Sequence, residues 1–564
     1  MDTQRLILFV IFSFSALFLW ERWQSEHRPP APPPAVQPAL PATAVDAPVP
    51  AGAMPPPPTL PGAVPGVVAA TSAPSEKVVI KTDLYTATVD TLGAVLTEVA
   101  LSAHRDTNDE SKPYVLLQKN AERTFVAQTG MLGEGFPNHR TPWQALPGPR
   151  ELASGVNDLV LTLLASAANG DKVEQKLTFH RGSYVIDVAY DVTNAGTAPI
   201  APYAYFQLTR DTKAAVVQSS MAPAAYTGPV LYNETDKFKK LEFAELDKIA
   251  TDPSRKLPYT KNADNGWVGM VEHYFVAAWL PPDVPKTPRE FYAKKLDGGL
   301  YADGVIIQAP PIAPGATGEI KVPLYVGPQE QDTLKKLAPG LDLVVDYGIF
   351  TVLAAPLFWL LKWLDGLVHN WGWAIVLLTI TIKSVFYPLN HASARSMAKM
   401  KVIAPKLKAL QAQYANDKQQ LQIKMMEMYK TEKINPLGGC LPILVQIPVF
   451  IALYWVLLSA VELRHAPWIG WIHDLSAPDP YFVLPVVYAI TAYLQVKLSP
   501  TPIQDPVQAK VMQIMPIAFS VMFIFFPSGL VLYWLINNSL QIFQQWHMNR
   551  VLEREAALVA AKRR

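Results

Sequence analysis

Hydrophobic and polar positions follow four successive patterns along the chain. Leu6 to Trp20 is a single apolar run, LILFVIFSFSALFLW, flanked by Trp23. It is close to the length of a membrane span with an aromatic residue at the interface. Trp20-Glu21-Arg22-Trp23 follows it where a cleavage site would need small residues, so an uncleaved signal anchor over 1–27 is predicted. Residues 28–75 are almost entirely Pro, Ala and Val, with sixteen prolines between Pro29 and Pro74. Such a stretch packs no core and predicts an extended linker.

From Glu76 to Gly327 the pattern becomes alternating or β-branched, as in Glu174-Gln-Lys-Leu-Thr-Phe and Tyr184-Val-Ile-Asp-Val-Ala-Tyr. Turn signals such as Asn194-Ala-Gly196 separate the runs, which predicts a mainly antiparallel β-sandwich over 76–327. A connecting helix over Gln329–Leu337 should lead back toward a membrane. Phe350 to Val368 then places Leu353, Leu357, Leu360, Leu361, Leu364 and Leu367 on one face and Lys362, Asp365 and His369 on another. That spacing predicts an interfacial amphipathic helix, closing a connecting region of 328–370.

Apolar blocks return at 371–389, 441–461, 481–498, 511–526 and 528–546, each a candidate span. With the anchor the total is six, which puts both termini on one side. Residues 390–435 carry nine Lys or Arg against Asp417, Glu427 and Glu432, whereas the 462–480 connection carries only Arg464 against Glu462, Asp474 and Asp479. The positive-inside rule therefore predicts a cytoplasmic 390–435 loop, cytoplasmic termini with a short basic tail over 547–564, and an external sandwich. The 390–435 loop is helix-forming except at Pro405 and at the turn Ala415-Asn416-Asp417, so a helical hairpin is expected.

Composition narrows the function classes. The 564 residues are 50% hydrophobic and 17% charged, with a net charge of +2, so no global field points to DNA. A lone cysteine, Cys440, excludes a disulfide framework and any multi-cysteine metal site. No P-loop, G-x-S-x-G or HExxH occurs, and no catalytic residue, metal or cofactor is predicted. Glu272-His273 beside Tyr274 is an adjacent pair in an apolar run, which favours a structural role over acid–base work.

The informative residue is Lys383, twelve residues into the 371–389 block and so about 18 Å along the helix. A lysine at that depth faces protein or water, or else snorkels to the headgroups. Thr379 and Tyr387 lie one turn to either side, a polar stripe that suits a wet groove. Gln446, Gln495, Asn537, Asn538 and Gln541 add mild polarity to other spans, either as interhelical packing glue or as groove lining. No embedded carboxylate pairs with Lys383, which leaves an ion pump without its acidic partner. In the 390–435 loop, Lys399, Lys401, Lys406 and Lys408 stand beside Met397, Met400, Met425, Met426 and Met428. That mixture suits anionic lipid or RNA phosphate and adaptable apolar partners, or a solvated face that marks topology.

Four blocks carry a family resemblance: Asn435-Pro-Leu-Gly-Gly-Cys-Leu-Pro442, Gln446-Ile-Pro-Val-Phe450, Trp471-Ile-His-Asp-Leu-Ser476 and Phe526-Pro-Ser-Gly-Leu-Val-Leu-Tyr533. In that order and spacing, across residues 345–550, they resemble the YidC insertases of Gram-negative bacteria, relatives of the Oxa and Alb types. The resemblance implies a polytopic α-helical membrane protein with six transmembrane helices, a five-helix insertase core and a galactose-mutarotase-like periplasmic β-sandwich. It also implies an inner-membrane location, and nascent membrane proteins, ribosomes, membrane lipids and the Sec translocon (SecYEG and SecDF) as partners. Carried over by position, it places Lys383, Thr379, Gln446, Gln495, Tyr533 and Trp534 in a substrate groove. A hydrophobic slide is expected around Phe450, Met522 and Phe525. The family's groove cation is usually arginine; here the matching residue is Lys383, which keeps the charge but not the bidentate fork. The rival expectations are a small-solute or ion transporter, which predicts internal repeats that are not seen, and a membrane-tethered sugar epimerase.

Overall fold

The computed structural model describes residues 75–562 apart from 107–108, 214–224, 253, 415–416, 433–440, 499–513, 516–517 and 519. The predicted anchor, nearly all of the linker and most of the predicted 511–526 span lie outside the described residues.

Alternation translates directly into sheet faces. Strand Lys172–His180 buries Val173, Gln175, Leu177 and Phe179, and its neighbour Asp158–Ser166 buries Leu159, Leu161 and Leu163. They pair antiparallel with Leu161 opposite Leu177, so every second residue points the same way. Among the described residues eighteen strands form two nine-stranded sheets in this manner. One core between them holds Leu101, Phe125, Phe179, Phe206, Trp279 and Val305, all essentially inaccessible. This is the predicted sandwich. It also carries the helix α1 (Phe243–Thr251).

The last strand, Thr317–Pro328, feeds α2 (Gln331–Leu337) and then α3 (Thr351–Val368). The helical part continues with α4 (Trp371–Val385), α5 (Tyr387–Gln413), α6 (Lys418–Thr431), α7 (Leu441–Ser459), α8 (Val483–Leu498) and α9 (Ser528–Lys562). A second apolar cluster fuses the two halves. Val230, Trp267, Val276 and Tyr325 of the sandwich join Leu334, Leu341, Phe358, Leu378, Val456 and Leu532 of the helical part.

Several local expectations change. In α3 the buried face is Ala354, Phe358, Leu361 and Leu364, while Leu353, Trp359, Trp363 and Leu367 are exposed. The face is offset from the predicted leucine stripe because Phe358, rather than Leu357, packs inward. Helix α5 runs through Pro405, where the sequence predicts an interruption. The helix predicted over 371–389 ends at Val385, and the chain bends by 62° into the next helix. Pro388, near the start of α5, removes an amide donor where a continuous helix would need one. Helix α9 extends to Lys562, well past the predicted end at 546, because nothing from Trp546 to Lys562 is a helix breaker.

By length and composition, only α3 among the described residues is long and apolar enough to cross a membrane; α4 with the first turns of α5 passes as a bent pair. Val445–Ser459 and Val483–Leu498 are apolar but shorter. The predicted count of six also includes the anchor and the 511–526 block, which lie wholly or mostly outside the described residues.

Candidate functional site

The site is a polar seam where α9 meets α4, α7 and α8. Helix α4 is started by Asn370, whose side chain accepts from the Trp373 amide at 3.1 Å and donates to the carbonyls of Pro467 and Trp468. Gly372 lets this end pack tightly: a Cβ there would lie 2.2 Å from the Trp468 ring. Helix α9 is anchored by Ser528, whose backbone amide and hydroxyl both donate to the Ala477 carbonyl at 2.7 Å.

Three neighbouring polar residues of α9 each reach a different helix. Asn537 accepts from the Gln446 amide of α7 at 2.8 Å. Asn538 donates to the Thr491 hydroxyl of α8 at 2.9 Å. Gln541 accepts from the Lys383 ammonium of α4 at 3.0 Å. Lys383 is half-buried, and among the described residues no carboxylate forms an ion pair with it. Hydrogen bonds of this kind hold helices together where hydrocarbon offers no alternative partner.

Above the seam the wall is aromatic. Phe450 stacks on Tyr533 at 6.4 Å and leans on Trp534 at 4.5 Å, and Trp534 also meets Phe523 and Tyr488. Tyr533 is buried, and its hydroxyl meets Gln446. The Trp534 indole nitrogen is buried with no acceptor among the described residues.

Of the predicted groove residues, the structure brings Lys383, Gln446, Tyr533 and Trp534 onto this seam and its wall. Thr379 is fully buried and donates its hydroxyl to the Ile375 carbonyl of its own helix. Gln495 is half-buried on α8. Of the predicted slide, Phe450 joins the aromatic wall, Met522 is half-buried and Phe525 is exposed. In the hairpin, Lys406 pairs with Glu432 at 2.7 Å, joining α5 to the end of α6, and Ile403 packs on Met428 and Tyr429. The side chains of Lys399, Lys401 and Lys408 lie outside the described residues. Asn537, Asn538 and Gln541 were visible in the sequence as interruptions of an apolar block, but nothing there named their partners.

A second constellation lies in the sandwich where it meets the end of α7. Buried Glu272 accepts from Tyr114 at 2.7 Å and pairs with Arg123 and with Arg210 at 3.0 Å. His273 donates to the Leu458 carbonyl at 3.0 Å. The predicted structural role of this pair is what the structure shows.

The described chain is thus a β-sandwich packed on apolar helices whose seam carries a cation, amides and aromatics. A family model described as the YidC periplasmic domain matches residues 77–360, and one described as the 60Kd inner membrane protein matches 363–555. The membrane protein insertase YidC of Aromatoleum aromaticum is 48% identical over 98% of this chain and 99% of its own length. That of Nitrosospira multiformis is 50% identical over 99% and 98%. A crystal structure of an active YidC insertase with its first transmembrane domain resolved is 19% identical, covers 83% of this chain and 92% of its own, and superposes with a TM-score of 0.38. The chain belongs to the YidC family of membrane protein insertases, which are not enzymes. The transporter and epimerase alternatives fall with that membership.

Proposed function

We propose that this chain is an inner-membrane insertase and chaperone that admits the hydrophilic end of a nascent membrane protein at the seam between α4 and α9. The observation that carries this reading is the half-buried Lys383 ammonium, held by the neutral Gln541 carbonyl without a carboxylate partner among the described residues. A polar or acidic chain end entering half a bilayer beside such a cation avoids much of its desolvation cost. Burial of the client's apolar segment along Phe450, Met522 and Phe525 then drives the remaining transfer. No nucleotide-binding motif occurs in the sequence, so burial, aided by the membrane potential, supplies the free energy.

In this reading six segments cross the membrane, with the sandwich in the periplasm and both termini and the α5–α6 hairpin in the cytoplasm; the charge asymmetry of the loops supports it. The hairpin lysines and methionines would engage ribosomes and lipid headgroups, and the Sec translocon, as SecYEG and SecDF, would hand over clients. The test is an in vivo insertion assay with clients whose translocated segment carries increasing numbers of Asp or Glu. Lys383→Arg should retain insertion, Lys383→Glu should lose it, and Lys383→Ala should fail most for the acidic clients. Uniform tolerance of alanine would overturn the groove-charge reading.

A further inference from the structure

Lysine has three N–H donors and no acceptor, so the atom of Gln541 that faces it has to be the carbonyl oxygen. Gln541 therefore solvates the Lys383 ammonium without neutralising it. A carboxylate at this position would cancel the charge, and an apolar residue would leave a half-buried cation without its protein acceptor. The neighbouring amide contacts differ in kind: Gln446–Asn537 and Asn538–Thr491 join neutral groups, whereas Lys383–Gln541 is the contact in the seam that carries charge. It is also a contact that one ligand class can replace with gain, because an N–H donated to an ionised oxygen is stronger than one donated to a neutral oxygen.

We infer that Gln541 is the resting-state partner of Lys383 and a positioning residue for client selection: it holds the cation in the seam and is displaced by a client carboxylate. Lysine suits this exchange, since its single ammonium on a flexible stem can move from one acceptor to another, while a guanidinium fork would keep both. The inference rests on the insertase reading and deepens it. It assigns the preference for acidic over neutral client segments to a side chain on α9 as well as to the cation on α4. Packing glue alone would give Gln541 no dependence on client charge.

The experiment uses the full-length protein in proteoliposomes, with a client series bearing no, one or two Asp in the translocated segment. Gln541→Glu places a tethered carboxylate against Lys383, and an incoming acid must then meet like charge; within this variant acidic clients should insert about tenfold more slowly, or worse, relative to the neutral client than they do in wild type. The exchange Lys383→Gln with Gln541→Lys moves the cation across the same 3.0 Å contact. It should restore acidic-client insertion that Lys383→Gln alone loses, and this rescue keeps the test decisive if Gln541→Glu folds poorly. A Gln541→Glu variant that responds equally to neutral and acidic clients, or an exchange variant without rescue, overturns the inference. Failure of the wild-type protein to insert any client would overturn the insertase reading and this inference with it, so the two failures are distinguishable.

Discussion

The Arg464 guanidinium lies 5.2 Å from the centre of the Tyr114 ring and 5.5 Å from that of Phe275, capping two sandwich aromatics that stack on each other at 4.1 Å. Arg464 belongs to the connection between α7 and α8, and its guanidinium also donates to the Arg105 carbonyl. The sandwich is thus held to the helical part by a cation over aromatic faces, beside the Glu272 cluster that fixes Tyr114 from below.

Arg464→Ala should loosen this dock by about 2 kcal/mol, the scale of a half-buried cation–π contact with a charged hydrogen bond. Limited proteolysis of the full chain reads it as faster cleavage between the sandwich and α3. Arg464→Lys should recover part of the protection. Identical proteolysis of wild type and Arg464→Ala would show that the apolar cluster alone holds the halves together.

Glu272→Ala should destabilise the sandwich itself, leaving Arg123 and Arg210 buried beside each other without their anion. Breaking a buried pair in this way costs about 3–5 kcal/mol. Thermal unfolding followed by circular dichroism, with a β signal that melts earlier than in wild type, checks it.

Stability of the dock should also depend on pH. Burial, reinforced by the Arg464 and His465 charges, lowers His104 from its ordinary 6.5 to about 4. Burial and Arg464 likewise lower His273 to about 4, against the opposing pull of its bond to the Leu458 carbonyl. Both are histidines that the fold keeps neutral, so the unfolded chain binds more protons between those values. Their contribution is complete above about 6.5 and is lost as the pH falls toward about 4. Glu462 acts in the opposite sense, because burial raises its carboxyl from 4.5 to about 7 and its ionisation costs stability as the pH rises through that range. Unfolding measured from pH 4 to 8 in wild type and Glu462→Gln separates the two: without the opposing carboxyl, stability of the variant should rise more steeply between about 4.5 and 7.

Deleting residues 80–320 should leave insertion active, since no catalytic set is seen in the sandwich. The remaining protein should be less stable by several kcal/mol, because Leu334, Leu341 and Val344 lose the apolar cover of Val230, Trp267 and Val276. Complete loss of insertion in a deletion variant that still accumulates in the membrane would refute a dispensable sandwich. Extending the deletion past Val322 should be worse, because the chain there leads directly into α2 and α3.

Removing 398–430 should abolish insertion while the rest of the helical part stays folded. The Lys406–Glu432 pair is exposed, so Lys406→Ala should change stability by less than about 1 kcal/mol. Reversing the charges of Lys399, Lys401, Lys406 and Lys408 should instead weaken ribosome binding, with a steep salt dependence. Co-sedimentation with ribosomes across a salt series measures it, and unchanged binding would leave the lysines as topology markers.

By itself, the sequence determined the division of this protein into an alternating sandwich and an apolar helical part, the family blocks, and the position of a cation inside an apolar helix. These are local properties: strand alternation, helical periodicity and run length depend on neighbours a few residues away. Tertiary structure decided which face of α3 is buried, that Thr379 spends its hydroxyl on its own helix, and that α4 stops short at a bend. It also decided every partner that matters for the site. Lys383 and Gln541 are 158 residues apart, and Arg464 and Arg105 are 359 apart. No periodicity reaches across such separations; packing the helices and docking the sandwich brings those atoms within bonding distance, and an amide that reads in sequence as packing glue becomes the partner of the Lys383 ammonium.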